Sequence, residues 1–171
     1  MLTLEQTMQA VTVRLDELRQ RIIANMTAAG QMVSGRTAQS LQVEKPADNE
    51  VRLVARPFFS ALETGSQPWS GRTGNHITAQ EFRTVIRVWA ERKGIVPADM
   101  TPESFAFVVA RKIMRQGSRL YRNGGRSDIF TPEVEQAEKD IKQIVADSLT
   151  TEINTIIQAI INFKSTGQWQ Q

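Results

Sequence analysis

The sequence predicts an α+β fold in which a small antiparallel β-sheet is packed by a long N-terminal helix and three C-terminal helices. Three observations favour this fold. Apolar residues recur every three or four positions at the start of the chain, alternate with polar residues over 40–55, and return to the helical spacing after residue 78. A length of 171 residues favours a single domain, 1–171, that can bury a core although the chain contains no cysteine.

The N-terminal helix is predicted over residues 3–29. Thr3 and Gln6 have the spacing of a capping box, and Gly30 can adopt the left-handed conformation that often ends a helix. The apolar stripe of this helix consists of Leu4, Met8, Val11, Leu15, Leu18, Ile22 and Met26. The regular spacing places these side chains on one face, which we expect to be buried.

Two strands are predicted within residues 40–55. The segments SLQVEK (40–45) and EVRLVA (50–55) alternate apolar with polar residues, and the turn-forming segment PADN (46–49) lies between them. An antiparallel hairpin is the simplest interpretation of this pattern. Its core-facing residues are predicted to be Leu41, Val43, Val51 and Leu53.

The segment ARPFFSALETGSQPW (55–69) concentrates aromatic residues among turn residues. Residues 58–63 predict a short helix or turn that ends at Gly65, with Phe58 and Phe59 in the core. Residues 66–77 contain too many helix- and strand-breaking residues to be regular, so they predict a projecting loop of about a dozen residues. Trp69 and Arg72 lie in this loop, where we expect them to contact a neighbouring subunit, since tryptophan and arginine are frequent interface anchors.

Three helices are predicted after this loop, at about 78–93, 102–116 and 132–163. Thr78 and Glu81 form a capping box for the first helix, which carries Trp89 on its apolar stripe (Phe82, Val85, Ile86 and Trp89) and ends at Gly94. The second helix starts with a proline at its first position and ends at Gly117. Residues 118–130 are predicted to form a loop with a strand-like tip at 123–125.

The formal net charge of +3 conceals an uneven distribution of charge. No acidic residue lies between Glu103 and Asp128, whereas the next segment begins with Glu133 and Glu135. The basic residues of the first segment are Arg111, Lys112, Arg115, Arg119, Arg122 and Arg126, with Tyr121 among them. This pattern fits the solvated face of a helix, a contact with acidic neighbour subunits, or a contact with DNA phosphates.

The residue types argue against an enzyme, and we expect no cofactor, no metal site and no membrane span. His76 is the only histidine, which with no cysteine leaves few options for a metal site or an activated nucleophile. The segment GSQPWSGRT (65–73) resembles a phosphate loop, but its second glycine is one residue late and arginine replaces the lysine. Nucleotide binding at residues 65–78 is therefore only a weak third hypothesis.

A DNA-binding regulator that uses the basic segment 111–126 is the alternative function. The helices predicted at 78–93 and 102–116, followed by a glycine-rich loop, imitate a winged helix-turn-helix. The connection between them is too long for that motif, however, and the second helix begins with Glu103 and Phe105 instead of base-reading polar residues.

Several segments, taken in order, resemble the tail-completion or head–tail joining (neck) proteins of tailed bacteriophages. They are SGRTAQSL (34–41), FFSALETG (58–65), VIRVWAERKGI (85–95), FAFVVARKIMRQG (105–117) and DIFTPEVEQA (128–137). The resemblance covers residues of about 30 to 160, and it rests on order and spacing because no single segment is a specific fingerprint.

The resemblance implies a structural virion protein that forms a ring at the phage neck or tail terminus, as a hexamer or a dodecamer. The implied partners are portal, neck or tail-tube proteins, with non-specific contact to packaged DNA as a further expectation. The protein would be assembled in the host cytoplasm and end in the virion. The motif residues implied to be structural are Phe58, Phe59, Glu63, Gly65, Trp89 and Gly94. The loop that contains Trp69 departs from the family pattern, so the resemblance does not imply its use. The residues that we expect at subunit or partner interfaces are Trp69, Arg72, Arg111, Arg115, Arg119, Tyr121, Arg122, Arg126, Glu133 and Glu135.

Overall fold

The computed structural model describes residues 3–69 and 77–166, and of 159–166 only the backbone. The chain is an α+β protein in which the predicted helices and strands occur in the predicted order, together with two four-residue helices, at 36–39 and 119–122, that were not predicted. The helices are α1 (Leu4–Ala28), α2 (Arg36–Gln39), α3 (Ala61–Thr64), α4 (Ala79–Lys93), α5 (Pro102–Gln116), α6 (Arg119–Arg122) and α7 (Thr131–Thr166). The strands β1 (Gln42–Ala47) and β2 (Glu50–Val54) form an antiparallel two-stranded sheet.

The chain divides into two compact units, each built from separate stretches of sequence. Unit 1 comprises residues 1–24, 40–55 and 131–171, and unit 2 comprises residues 25–39 and 56–130. The predicted single domain of 1–171 stays a prediction, and the two units are described separately below. The units differ in charge: unit 1 has 8 Lys and Arg against 12 Asp and Glu, whereas unit 2 has 13 against 6.

In unit 1, three polar contacts join α1 to α7, and their α1 residues are seven positions apart. Thr7 and Ser148 hydroxyls lie 2.7 Å apart, Arg14 forms an ion pair with Asp140, and Arg21 lies 3.4 Å from Glu133. The partner number falls as the α1 number rises, so the two helices are antiparallel. Val11, Leu18 and Ile22 of α1 are buried as their spacing predicts, but the prediction was wrong for Leu4, which lies in the first turn of the helix and is 62% exposed.

The hairpin of unit 1 has the predicted pairing. Val43 lies opposite Leu53, Glu44 lies opposite Arg52, and an irregularity separates Glu44 from Ala47. Val43 and Leu53 are half-buried, as expected for alternating residues on the inner face of a two-stranded sheet.

In unit 2, α4 and α5 pack through small side chains. Ile86 of α4 lies in a buried cluster with Ala106 and Ala110 of α5. The prediction that Val85 and Trp89 are buried was wrong, since they are 53% and 36% exposed. The face that meets α5 contains Ile86, as the predicted stripe does, but continues to Ala90 instead of to Val85 and Trp89.

The ends of α4 form as the sequence predicts. Thr78 Oγ1 accepts a hydrogen bond from the N–H of Glu81 (3.2 Å), and Glu81 Oε2 accepts one from the N–H of Thr78 (2.6 Å). Gly94 ends the helix with φ 63° and ψ 32°, in the left-handed region. The capping box and the C-terminal glycine are local signals, which explains why the prediction succeeded here.

Replacing Thr78 by alanine should lower the free energy of unfolding by about 1 kcal/mol at neutral pH, because the helix loses its N-cap acceptor. The pKa of Glu81 is lowered by the backbone N–H of Thr78 first and by its hydroxyl second. Because the pKa of Glu81 is lowered in the folded protein, the stabilisation from its charged carboxylate is present above the pKa of an unfolded glutamate. It is lost as the pH falls through the pKa of Glu81 in the folded protein. Alanine keeps the backbone N–H, the larger cause, and removes only the hydroxyl, so the part of the cost of Thr78→Ala that comes from the charge of Glu81 should be lost at a pH well below the usual glutamate range.

Urea unfolding of Thr78→Ala at both pH values measures this effect. Thr84→Ala is the matched control, because Thr84 is exposed within α4 and its hydroxyl only donates to the carbonyl of Gln80. Equal costs for the two variants at neutral pH would contradict the capping role.

One prediction about the loops of unit 2 was wrong, and a second was wrong for the residues that the structure describes. Residues 118–130 were predicted as a loop with a strand-like tip, but they contain α6, which Ser118 caps by accepting from the N–H of Tyr121 (3.2 Å). The loop predicted at 66–77 does not project over residues 66–69, because Ser66 exchanges hydrogen bonds with Ser118 and the backbone N–H of Trp69 donates to the carbonyl of Met114 in α5. The rest of that loop, residues 70–76, lies outside the described residues, as do Arg72 and His76.

Candidate functional site

The segment FFSALETG builds a buried structural cluster in unit 2, centred on Glu63. Glu63 is only 3% exposed, and its Oε1 accepts hydrogen bonds from the N–H groups of Ile129 (2.8 Å) and Phe130 (2.7 Å). The carbonyl of Glu63 accepts from the N–H of Arg126 (2.8 Å). One residue of α3 thus holds three backbone N–H groups of the segment that leads into α7. These residues are named the Glu63 cluster.

The two phenylalanines before α3 have different surroundings. The ring of Phe59 lies 5.4 Å from the ring of Phe130, beside the Glu63 cluster, and Phe59 is half-buried. Phe58 is 76% exposed, so its predicted burial was wrong. Adjacent residues of a turn face different directions, and only Phe59 faces the segment that Glu63 holds.

Glycines allow the close contact between the α3 segment and the α6 segment. A Cβ on Gly65 would lie 2.4 Å from the backbone nitrogen of Tyr121, and a Cβ on Gly117 would lie 2.9 Å from the carbonyl oxygen of Ser66. Ser118 completes the contact: its N–H donates to Ser66 O (2.7 Å) and its hydroxyl accepts from Ser66 N (3.0 Å). The glycine after Glu63 is therefore required by tertiary packing as well as by the helix end.

Trp69 packs within its own unit. The backbone N–H of Trp69 donates to the carbonyl of Met114 (2.9 Å). The ring of Trp69 lies 5.3 Å from the ring of Phe82, and the residue is half-buried. Phe82 of α4 and Met114 near the end of α5 therefore provide Trp69 with contacts inside unit 2. Its role at a subunit interface stays a prediction.

The basic residues form a surface on α5 and α6. A shallow groove on α5, which we name the basic groove, is lined by Val108, Arg111, Lys112, Arg115 and Gln116. Arg122 Nη1 donates to Gln116 Oε1 (2.9 Å), so a cation of α6 lies beside the cations of α5. The cations of this surface and Tyr121 are all exposed, namely Arg111, Lys112, Arg115, Arg119, Tyr121 and Arg122.

Arg126 differs from the other basic residues because it has a carboxylate partner. Its Nη2 lies 2.6 Å from Asp128 Oδ2. The hydrogen bond to Asp128 raises the pKa of Arg126, and the charges of Asp128 and Glu63 raise it further. The same hydrogen bond lowers the pKa of Asp128. Arg126 therefore supports the Glu63 cluster, and its charge is not available to the basic groove.

The acidic residues predicted at an interface belong to unit 1. Glu133 forms an ion pair with Arg21, whereas Glu135 is exposed and has no ion-pair partner among the described residues. In the same segment Glu138 lies next to Lys142, and Asp140 next to Arg14. Most of this acidic segment is thus already neutralised within its own unit.

No group of three or more potential metal ligands occurs among residues 3–69 and 77–166. Within the same part of the chain, no helix combines the length and the apolar character that crossing a bilayer requires. Comparisons of the chain with protein-family models, curated proteins and solved structures found no match. Two exposed features of the described residues are the basic groove of unit 2 and the apolar residues of α7.

Proposed function

We propose that this chain is a structural subunit of a bacteriophage neck or tail terminus, which assembles with identical copies into a ring of six or twelve. It acts by binding portal, neck or tail-tube proteins, without catalysis, and it resides in the virion after assembly in the host cytoplasm. The resemblance of five ordered segments supports this function. Two of those segments, FFSALETG and DIFTPEVEQA, supply Glu63 and its partners Ile129 and Phe130 in the Glu63 cluster.

The observation that carries the proposal is an exposed apolar stripe on α7. Val145 is 38% exposed, Leu149 53%, Ile153 55% and Ile156 53%. These residues, named the α7 stripe, recur at intervals of three and four and therefore share one face of the helix. A row of large apolar side chains this exposed marks a surface that another protein covers.

A second face of α7 explains why the stripe has no partner within unit 1. Ala137, Asp140 and Ser148 face α1, where Ser148 meets Thr7 near the start of that helix. The α7 stripe lies about 100° around the helix from Ser148, so α1 does not cover it. Beyond Ser148, α7 continues to Thr166, where α1 offers few further residues to contact.

An identical copy is the partner that suits this stripe. Between Ser148 and Phe163 the only charged residue is Glu152, so a different, apolar surface of an identical copy can cover the stripe in a head-to-tail contact with little electrostatic repulsion. The opposite net charges of the two units steer the approach of copies, an effect of overall charge that does not require the paired carboxylates of residues 133–140 to exchange partners.

Replacing Ile153 and Ile156 together by aspartate should prevent assembly. Each side chain is about half exposed, and burying the remainder contributes roughly 1 kcal/mol per residue, whereas a buried aspartate is costly. We expect self-association to weaken at least about 100-fold. Size-exclusion chromatography with light scattering should show six or twelve copies for the original chain and a monomer for the variant.

The matched control carries aspartate at Thr150 and Asn154, two exposed positions on a different side of the same turns. This control adds the same charge to the same helix, so it should assemble normally. The proposal fails if the original chain is monomeric at high concentration without other virion proteins and does not co-assemble with portal or tail proteins. It also fails if both double variants assemble equally well.

The DNA-binding regulator remains the alternative. It would need base-reading side chains at the start of α5, where Glu103 instead pairs with Arg87 (3.1 Å). A preference for one DNA sequence over others, shown by a monomer or dimer, would favour the regulator over the ring.

A further inference from the structure

The basic groove of unit 2 has no carboxylate to balance it. Among the described residues, no Asp or Glu forms an ion pair with Arg111, Lys112, Arg115 or Arg119. Three of these cations line one groove, and the bond from Arg122 to Gln116 adds a fourth at its edge. Because Arg111 and Arg115 are only one helical turn apart, about 6 Å, the local density of positive charge is high.

The acidic segment of a second copy is a poor partner for this groove. Glu133, Glu138 and Asp140 each have a cation of their own chain, which leaves Glu135 as the main unpaired carboxylate of that segment among the described residues. Breaking three ion pairs to form others would return little net free energy, since exposed pairs contribute little. The partner should instead carry a dense row of uncompensated negative charges.

We propose that the basic groove binds the phosphate backbone of double-stranded DNA without sequence preference. Duplex DNA carries one negative charge per about 1.7 Å of its axis, and lysine and arginine that neutralise phosphates release condensed counterions. Val108 supplies an apolar wall and Gln116 an amide whose oxygen accepts a hydrogen bond from Arg122. Three of the five side chains that line the groove are cations, and cations contact phosphates more often than base edges, so we expect phosphate contacts to dominate.

This inference does not depend on ring assembly, because the groove lies within one unit of one chain. The basic groove would bind duplex DNA both in a ring, through which DNA passes, and in a monomer. Oligomeric state is measured on the same samples by light scattering, so failure of the ring and failure of the groove are separate results.

The test is fluorescence anisotropy with two labelled duplexes of unrelated sequence, over a series of salt concentrations. The test variant replaces Arg111, Lys112 and Arg115 by glutamine. The control variant replaces Arg36, Arg56 and Arg92, three exposed arginines of unit 2, by glutamine and so has the same net charge. Circular dichroism checks that each variant is folded, and the single variant Lys112→Glu serves if the triple variant does not fold.

We expect both duplexes to bind the original chain equally, with an affinity that falls steeply with salt. The groove variant should bind at least about tenfold more weakly, with a salt slope reduced by roughly one per lost phosphate contact. The control should bind within about twofold of the original chain. The inference is overturned if groove and control variants lose affinity equally, if no duplex binds at low salt, or if polyglutamate binds more tightly than DNA.

Discussion

Replacing Glu63 by alanine should destabilise unit 2 by about 3 to 5 kcal/mol, the larger of two effects that we expect from single substitutions. The carboxylate is buried and accepts from the N–H groups of Ile129 and Phe130. Alanine would leave both donors without a partner in a buried position, and each such group costs about 1 to 3 kcal/mol. The loss of packing around the side chain adds to this cost.

Urea unfolding followed by tryptophan fluorescence measures the effect, because Trp69 and Trp89 both lie in unit 2. Glu91→Ala is the matched control, since Glu91 is exposed and its side chain has no partner among the described residues. Glu63→Gln keeps an oxygen acceptor but loses the charge, so it should fall between the two. Equal unfolding midpoints for Glu63→Ala and Glu91→Ala would show that the cluster does not hold this part of the unit.

Replacing Gly65 by alanine should destabilise unit 2 by about 3 kcal/mol, through two separate effects. The backbone of Gly65 has φ 72° and ψ 176°, a region that residues other than glycine avoid. In addition, the new Cβ would lie 2.4 Å from Tyr121 N and 2.9 Å from Tyr121 Cα. These are backbone atoms of α6, which cannot move without breaking the contact between Ser66 and Ser118.

Gly94→Ala separates the steric effect from the conformational effect. Gly94 also has a positive φ, of 63°, but a Cβ added there would meet nothing within 4 Å. Alanine at this position should destabilise the protein by only about 1 kcal/mol, because the left-handed conformation is its one unfavourable feature. Measured in parallel, a cost for Gly65→Ala no larger than that for Gly94→Ala would disprove the close approach of the two segments.

The prediction of the fold succeeded where the signals are local. Thr3 and Gln6 exchange the hydrogen bonds of a capping box at the start of α1, and Thr101 caps α5 by accepting from the N–H of Ser104 (3.2 Å). The alternating residues of 40–55 form the predicted hairpin. Each of these contacts joins residues that are close in sequence, so the residue types alone carry the information.

The candidate site was harder to predict because its contacts are distant in sequence. FFSALETG was identified as a structural motif, but the buried role of Glu63 could not be predicted, since its partners are backbone groups 66 and 67 residues away. Backbone N–H groups leave no mark in a sequence. The close packing of Gly65 and Gly117 was missed for the same reason, since both glycines have the pattern of ordinary helix ends.

Residue patterns alone were enough to establish the order of the hairpin and the long helices, most of their ends, and the separation of basic from acidic segments, because hydrogen bonds within a turn and apolar periodicity depend on near neighbours. Long-range packing, in contrast, established that Phe59 packs while Phe58 is exposed, that Arg126 is neutralised while Arg111 and Arg115 are not, and that one apolar face of α7 has no partner within unit 1. Each of those outcomes depends on which distant segment lies opposite a side chain, and no local pattern encodes that.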